Sequence, residues 1–491
     1  MTLHIERRSD RRVLLAPSDK RPPLLVDPAL NVLHDPLSLE EQMRKSGPAA
    51  EANPRWAGLA NSAASGRNQY FAPMEKAPAP ETMAEHGTLE VRAVPFRVVV
   101  AGAGVAALEL ALGLRALAED LVSVELIAPE AEFTYRPLAV AEPFRTGEVR
   151  RFPLAQLVTA TGAEFRRAAI TGADPENKIA TLDDGDAVDF DAFVLALGAR
   201  PHEAVDGALT FRGAEDSAAL AGLLDRAAAG DLRRIAFVVP AAVTWPLPLY
   251  ELALLTAEYL SDRGTRGVEV VIVTPEERAL ELFGAEASNA IRELLEIRGV
   301  QLETGVVATA WREGLLSVAG ETTIDADAAV ALPQLLGPSF PGLPHDGAGF
   351  VPTDDEGRVP GTTDVYAAGD ATQFRPKQGG LAAQQADAVA AAIAVDIGAH
   401  AQPMPFRPIL RGLLLTGFVP RYLRSDTSTG GSIVDTEALW WPPAKIVGRY
   451  LAPFLATQLG LGTALPESRR AGAVEVEVEV DPRDSASWSA V

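Results

Sequence analysis

The 491-residue sequence predicts an α/β fold with two doubly wound, mostly parallel sheets, the second inserted in the first. Three observations carry that expectation. Phe96–Ala101 reads as a buried strand, apolar but for Arg97, that ends at a glycine pair and opens an Ala/Leu-rich stretch of helical length. Arg234–Val239 begins a second strand–turn–helix–strand series of the same kind. The length corresponds to about three domains at ~150 residues each, so one sheet alone does not account for it.

Composition narrows the function classes first. Lys+Arg total 44 against 66 for Asp+Glu, a formal charge of -22, which argues against a general binder of nucleic-acid phosphates. Cysteine is absent, which excludes disulfides, Cys-based zinc sites, iron–sulfur clusters and thiol redox centres together. The uncharged stretch Ile235 to Tyr250 is interrupted by Pro240, Pro246 and Pro248, and no membrane span is expected. The N-terminus has no continuous apolar segment of the secretory kind, and a cytoplasmic protein is expected. The six histidines show no metal-ligand spacing, so no metal site is expected.

The chain divides as follows. Residues 1–94, rich in Pro, Ala, Arg and Glu, read as a disordered or extended arm with one short helix near Ser38–Lys45. Residues 95–215 open the first nucleotide-type domain with a strand at Phe96–Ala101, a helix to about Ala118 and a strand at Val122–Ile127. Residues 216–335 form the second, with a helix near Tyr250–Ser261 and a strand at Val268–Val273. Residues 336–400 return to the first domain and end in a helix over about Gly380–Ala394. Residues 401–491 are an extension, closing on the alternating Val474–Val480.

Gly102-x-Gly104-x-x-Ala107 stands directly after the first strand and opens its helix. Glycine there supplies open dihedrals and lets backbone approach a pyrophosphate, which the free N–H groups of a helix start favour. Ala107 keeps the third position small for helix–strand packing. The ribose-binding acid usual at the end of the second strand is replaced by Ala128. Glu130 either reaches back to the ribose or is a solvated loop charge.

Asp189–Pro201 reads as a strand ending in a Leu197-Gly198 turn, and Thr363–Asp370 ends in Gly369-Asp370 before a helix. Together with the first glycine motif these resemble the pyridine nucleotide–disulfide oxidoreductase superfamily, over about residues 96–395. The resemblance implies two Rossmann-like domains and a tightly held FAD. Gly102 and Gly104 then lie at the pyrophosphate, and Asp370 is hydrogen-bonded near the ribitol. The helix from about Gly380 aims its positive end at the flavin. Val273–Glu277 and Leu282–Gly284 resemble sulfide:quinone oxidoreductases, whose sulfur chemistry needs the cysteines missing here. Phe133–Leu138 and Gly380–Gln385 resemble type-II NADH:quinone oxidoreductases. That likeness implies Gln384 and Gln385 near flavin and quinone, with Gly380 departing from the family's glutamine.

The second unit breaks the pattern. After Val239 it has Pro240–Tyr250, three prolines, Trp245 and no glycine, so NAD(P)H is not expected to bind and the domain is a scaffold or takes another donor. Lys377 is read either as a charge facing reduced flavin or a substrate anion, or as an ordinary exposed lysine. Trp440–Pro443 and Lys445–Leu455 are either a platform touching the membrane's inner face or a helix docked on the flavin domain. Arg407, Arg411, Arg421 and Arg424 make a local basic patch without implying nucleic acid. The expected function is an FAD-dependent oxidoreductase passing electrons from a small donor to a quinone or other small acceptor without thiols. The alternatives are an NAD(P)H-dependent dehydrogenase of the type-II kind and a non-catalytic flavin-binding scaffold.

Overall fold

Val98, Val99, Val100 and Ala101 are each fully buried, as a strand covered on both faces requires. Around them the computed structural model builds a five-stranded parallel sheet. Its order is Val365–Ala367, Ala192–Leu195, Phe96–Ala101, Val122–Ile127, Glu164–Arg166. The described residues are 94–320, 322–425 and 432–458, with the backbone of 25–27 and 32–34. The last two segments pair as short antiparallel strands. The helix expected near Ser38–Lys45 and the alternating Val474–Val480 lie outside the described residues.

A second five-stranded parallel sheet runs Leu209–Thr210, Ala328–Ala331, Arg234–Val238, Glu269–Val273, Val300–Glu303. Leu209–Thr210 already belongs to it, so the chain crosses between sheets before residue 209. Each parallel sheet carries an antiparallel three-stranded neighbour, at Ile170–Asp189 and at Ala308–Asp325. The expected Asp189–Leu195 strand is divided between two sheets, because Asp189 pairs with Ile179 while Ala192 pairs with Val98.

Helices Val105–Ala118 and Gly379–Asp396 pack closely through small residues. A Cβ on Gly113 would lie 3.0 Å from the Cβ of Ala390. The extension adds a three-stranded antiparallel sheet, Arg411–Leu414, Arg421–Ser425 and Ser432–Asp435, and a helix at Leu451–Gln458. Ile446, Leu451 and Leu455 are buried, and the Trp440 ring stacks edge-on against Tyr422 at 5.0 Å. Part of the extension is thus docked on the flavin-binding half, while Phe418, Val419 and Ile433 stay exposed. Among the described residues no helix is long and apolar enough to cross a membrane.

Candidate active site

The first glycine turn is built as a cradle. Gly102 has φ +115° and donates its N–H to Ile127 O at 2.8 Å. A Cβ on it would sit 2.4 Å from Ala196 O, so only glycine lets the Leu195–Gly198 turn lie against it. Gly104 starts the helix at φ -85° and ψ -163°, and a Cβ there would meet open space. Ala107 is fully buried between helix and sheet. Beside this opening Leu197 stays 38% exposed, an apolar surface that an adenine or flavin would cover, and Gly198 takes φ +72° with nothing near it. Glu130 is exposed on the following loop and bonds to no described side chain.

The second wall is the Gly369–Ala371 turn after the Val365–Ala367 strand. Gly369, at φ +77°, brings this turn onto both helices, since a Cβ would lie 3.2 Å from Ala106 Cβ and 3.4 Å from Ala382 Cβ. Gln385 locks it. Its Oε1 accepts from Gly369 N at 2.7 Å and its Nε2 donates to Thr372 Oγ1 at 3.2 Å. Asp370 is left without a hydrogen bond among the described residues and faces a cavity of about 320 Å³. Desolvation raises its carboxyl above the usual range, while Lys377 and Arg136 pull in the opposite direction.

Lys377 is only 9% exposed, so the reading as an ordinary exposed lysine is corrected. Its Nζ donates to Thr372 O and lies 4.0 Å from the Phe350 ring centroid. Burial pushes its ammonium down to about 7, against the pull of Asp370. Gln384 does not line the cavity. Its amide is committed to the extension, accepting from Ile409 N at 2.8 Å and donating to Ile409 O at 3.0 Å. Gln385 likewise holds a turn from behind the wall rather than facing the cavity. At Gly380 a Cβ would crowd Gln378 Oε1 at 3.0 Å, the atom that caps the helix through Leu381 N.

Sequence reasoning missed one cavity group. Lys445 Nζ bonds both oxygens of Glu251 at 2.5 and 2.6 Å, and Glu251 also accepts from Leu415 N at 2.8 Å. Burial pushes Glu251 up and Lys445 down, and their mutual attraction works against both shifts. The pair fastens the extension to the second domain across the cavity. Lys445 therefore points into the protein. No spacing rule links partners so far apart in the chain, and only the lone charge in an apolar segment marked it.

In the second unit the loop after Arg234–Val238 carries prolines and no glycine. The Leu247–Asp262 helix has Pro246 at its cap and Pro248 in its first turn, positions where proline is tolerated but no N–H is offered. Trp245 lines the cavity and meets Phe283 edge-on at 5.8 Å. Glu276, three residues past the Glu269–Val273 strand, is buried. It accepts from Tyr250 Oη at 2.8 Å and Thr274 Oγ1 at 3.0 Å. Burial pushes this carboxyl up to about 7.

A family model described as pyridine nucleotide-disulphide oxidoreductase matches residues 96–386. The chain belongs to this family. It is an FAD-dependent oxidoreductase of the family that contains no cysteine. The open turn at Gly104, the exposed Leu197 and the unbonded Asp370 all fit that cofactor. Among characterised relatives, demethylphylloquinone reductase NdbB of Synechocystis sp. is 26% identical over 311 residues, 58% of this chain and 74% of that one. The sulfide:quinone oxidoreductase of Aquifex aeolicus superposes with TM-score 0.63 at 20% identity, covering 69% of this chain and 86% of the other. A ferredoxin reductase of Rhodopseudomonas palustris gives TM-score 0.52 at 20% identity, covering 67% and 82%. These two likenesses concern the fold.

Proposed function

We propose that this family member carries electrons from a small donor other than NAD(P)H to a quinone or similar apolar acceptor. One observation carries the reading: beside an open flavin cradle, the turn after the second central strand carries Pro240, Trp245, Pro246 and Pro248 where a nicotinamide site needs glycine. Backbone N–H groups at the helix start, Gly104–Ala107, would hold the pyrophosphate, Asp370 would accept from the ribityl chain, and Glu130 would reach the adenosine ribose. FAD, when bound, supplies the ring that takes up and returns electrons. Lys377 would hold a proton at Nζ on the cavity wall, available or withdrawn according to pH, and Gln385 fixes the turn that carries Asp370. Pro137, Val140, Phe350 and Ile446 exclude water from the cavity and suit a flat apolar acceptor. The quinone named for the cyanobacterial relative supports the same acceptor class.

An anaerobic screen tests this. Candidate donors are mixed with the yellow holoprotein while flavin absorbance is followed, and a soluble quinone is then added to the reduced protein. Rapid reoxidation by the quinone is expected. Flavin that stays reduced after the quinone is added rejects the acceptor.

A further inference from the structure

The flavin-binding half contains a buried acid pair that lies outside the cavity wall. Glu109, fully buried on helix Val105–Ala118, accepts from Tyr450 N and Leu451 N, each at 2.7 Å. It thereby caps the start of the Leu451–Gln458 helix, where a carboxylate is favoured by the free N–H groups and the helix dipole. The approach is close: a Cβ on Gly448 would lie 2.5 Å from Glu109 Oε2. Asp387 comes against Glu109 from the neighbouring helix Gly379–Asp396, which packs on Val105–Ala118 through Gly113 and Ala390, and its Oδ1 is buried without a partner among the described residues. Two carboxylates offer only acceptors, so a bond between them requires a proton on one.

We propose that Glu109 and Asp387 share a single proton, and that losing it unfastens residues 448–451 from the flavin-binding half. With the proton present, the pair carries one negative charge, directed at the two N–H groups of the extension. Without it, two charges face each other in a site with little water. The groups facing the pair are the Arg449 guanidinium, which favours ionisation, and the half-buried Tyr450 hydroxyl, itself held above its usual range by burial. Arg449 is only partly available, since its Nη1 also reaches Met404 Sδ at 2.9 Å. Burial, then the charge of Glu109, pushes Asp387 up to about 8, which puts the change within ordinary working conditions. Lys445 and Ile446, just upstream, line the cavity, and Ile446 N is held by Tyr135 Oη at 3.1 Å. The pair is therefore one fastening of the cavity's cover among several, and the one that releases as pH rises.

The test is hydrogen exchange of the Tyr450 and Leu451 amides in the full-length holoprotein from about pH 6.5 to about pH 9.5, corrected for intrinsic exchange. Protection in the unmodified protein is expected to fall about tenfold as pH passes through the pair's titration. Asp387→Asn, whose amide donates to Glu109 as the protonated acid does, is expected to keep protection constant across that range. Arg449→Gln is expected to move the fall to higher pH, and it decides the question if Asp387→Asn does not fold. The infrared spectrum of the unmodified protein minus that of Asp387→Asn, at about pH 7, is expected to contain the C=O stretch of a protonated carboxyl. Constant protection in the unmodified protein, an unshifted fall in Arg449→Gln, or absence of that band overturns the proposal.

Discussion

Gly102–Gly104 and Pro240–Pro248 follow the central strands of two sheets with matching parallel topology, yet they differ in what they offer a ligand. The first leaves an open space above Gly104 and an unpaired Asp370 opposite. The second begins its helix with prolines, packs Trp245 on Phe283 and turns Glu276 inward to Tyr250. The sheet is held by buried apolar strands such as Ile235–Val238, which demand nothing of the loop. A doubly wound scaffold therefore outlasts its binding turn, and the turn has to be judged by its own chemistry.

The largest effect is expected in the first half. Gly104→Trp places an indole in the open space while its backbone, at φ -85°, accepts any residue, so folding is retained. FAD affinity is expected to fall about a hundredfold, ~2.7 kcal/mol, by calorimetric titration of apoprotein. Unchanged affinity breaks the contrast between the halves.

The cavity pair that ties the second half to the extension comes next. Lys445→Met leaves the Glu251 carboxylate buried without its partner and is expected to lower stability by about 3–5 kcal/mol in denaturant unfolding. Adding Glu251→Met is expected to restore most of that loss. If the double variant is no better than the single one, the pair is not what the extension rests on.

A smaller, pH-dependent effect concerns Lys377. Its folded value near 7 lies below the ordinary 10.5, so between those limits the unfolded chain holds a proton that the native site does not. This group's contribution to stability is present above the ordinary value and is lost as pH falls through about 7. The positive charge that favours reduced flavin follows the opposite course and is present below about 7. A plot of flavin midpoint potential against pH is expected to change slope near pH 7, and Lys377→Met is expected to remove that break.

Much of the framework was legible because it rests on local pattern. Phe96–Ala101, Val105–Ala118 and Val122–Ile127 stand where an apolar strand, a glycine turn and an Ala/Leu helix place them. The second helix starts at Leu247 rather than near Tyr250, because prolines that break a helix interior are accepted in its first turn. The site was legible where backbone makes it and at Asp370 and Lys377, which line the cavity. Gln384 and Gln385 were expected beside the flavin, and their amides instead hold Ile409 and Gly369, partners that no local pattern names. Glu251–Lys445 and Glu109–Asp387 were invisible for the same reason, since each joins elements far apart in sequence.

The central claim is that the second half has lost nicotinamide binding while the first keeps its flavin. Anaerobic stopped-flow mixing of holoprotein with NADH and NADPH, beside dithionite as a small artificial reductant, tests it directly. Prompt bleaching of the flavin by dithionite is predicted, with slow, non-saturating bleaching or none by either nicotinamide. Rapid, saturable reduction by micromolar NADH would contradict the account, because the loop from Pro240 to Pro248 would then bind nicotinamide by a geometry that needs no glycine.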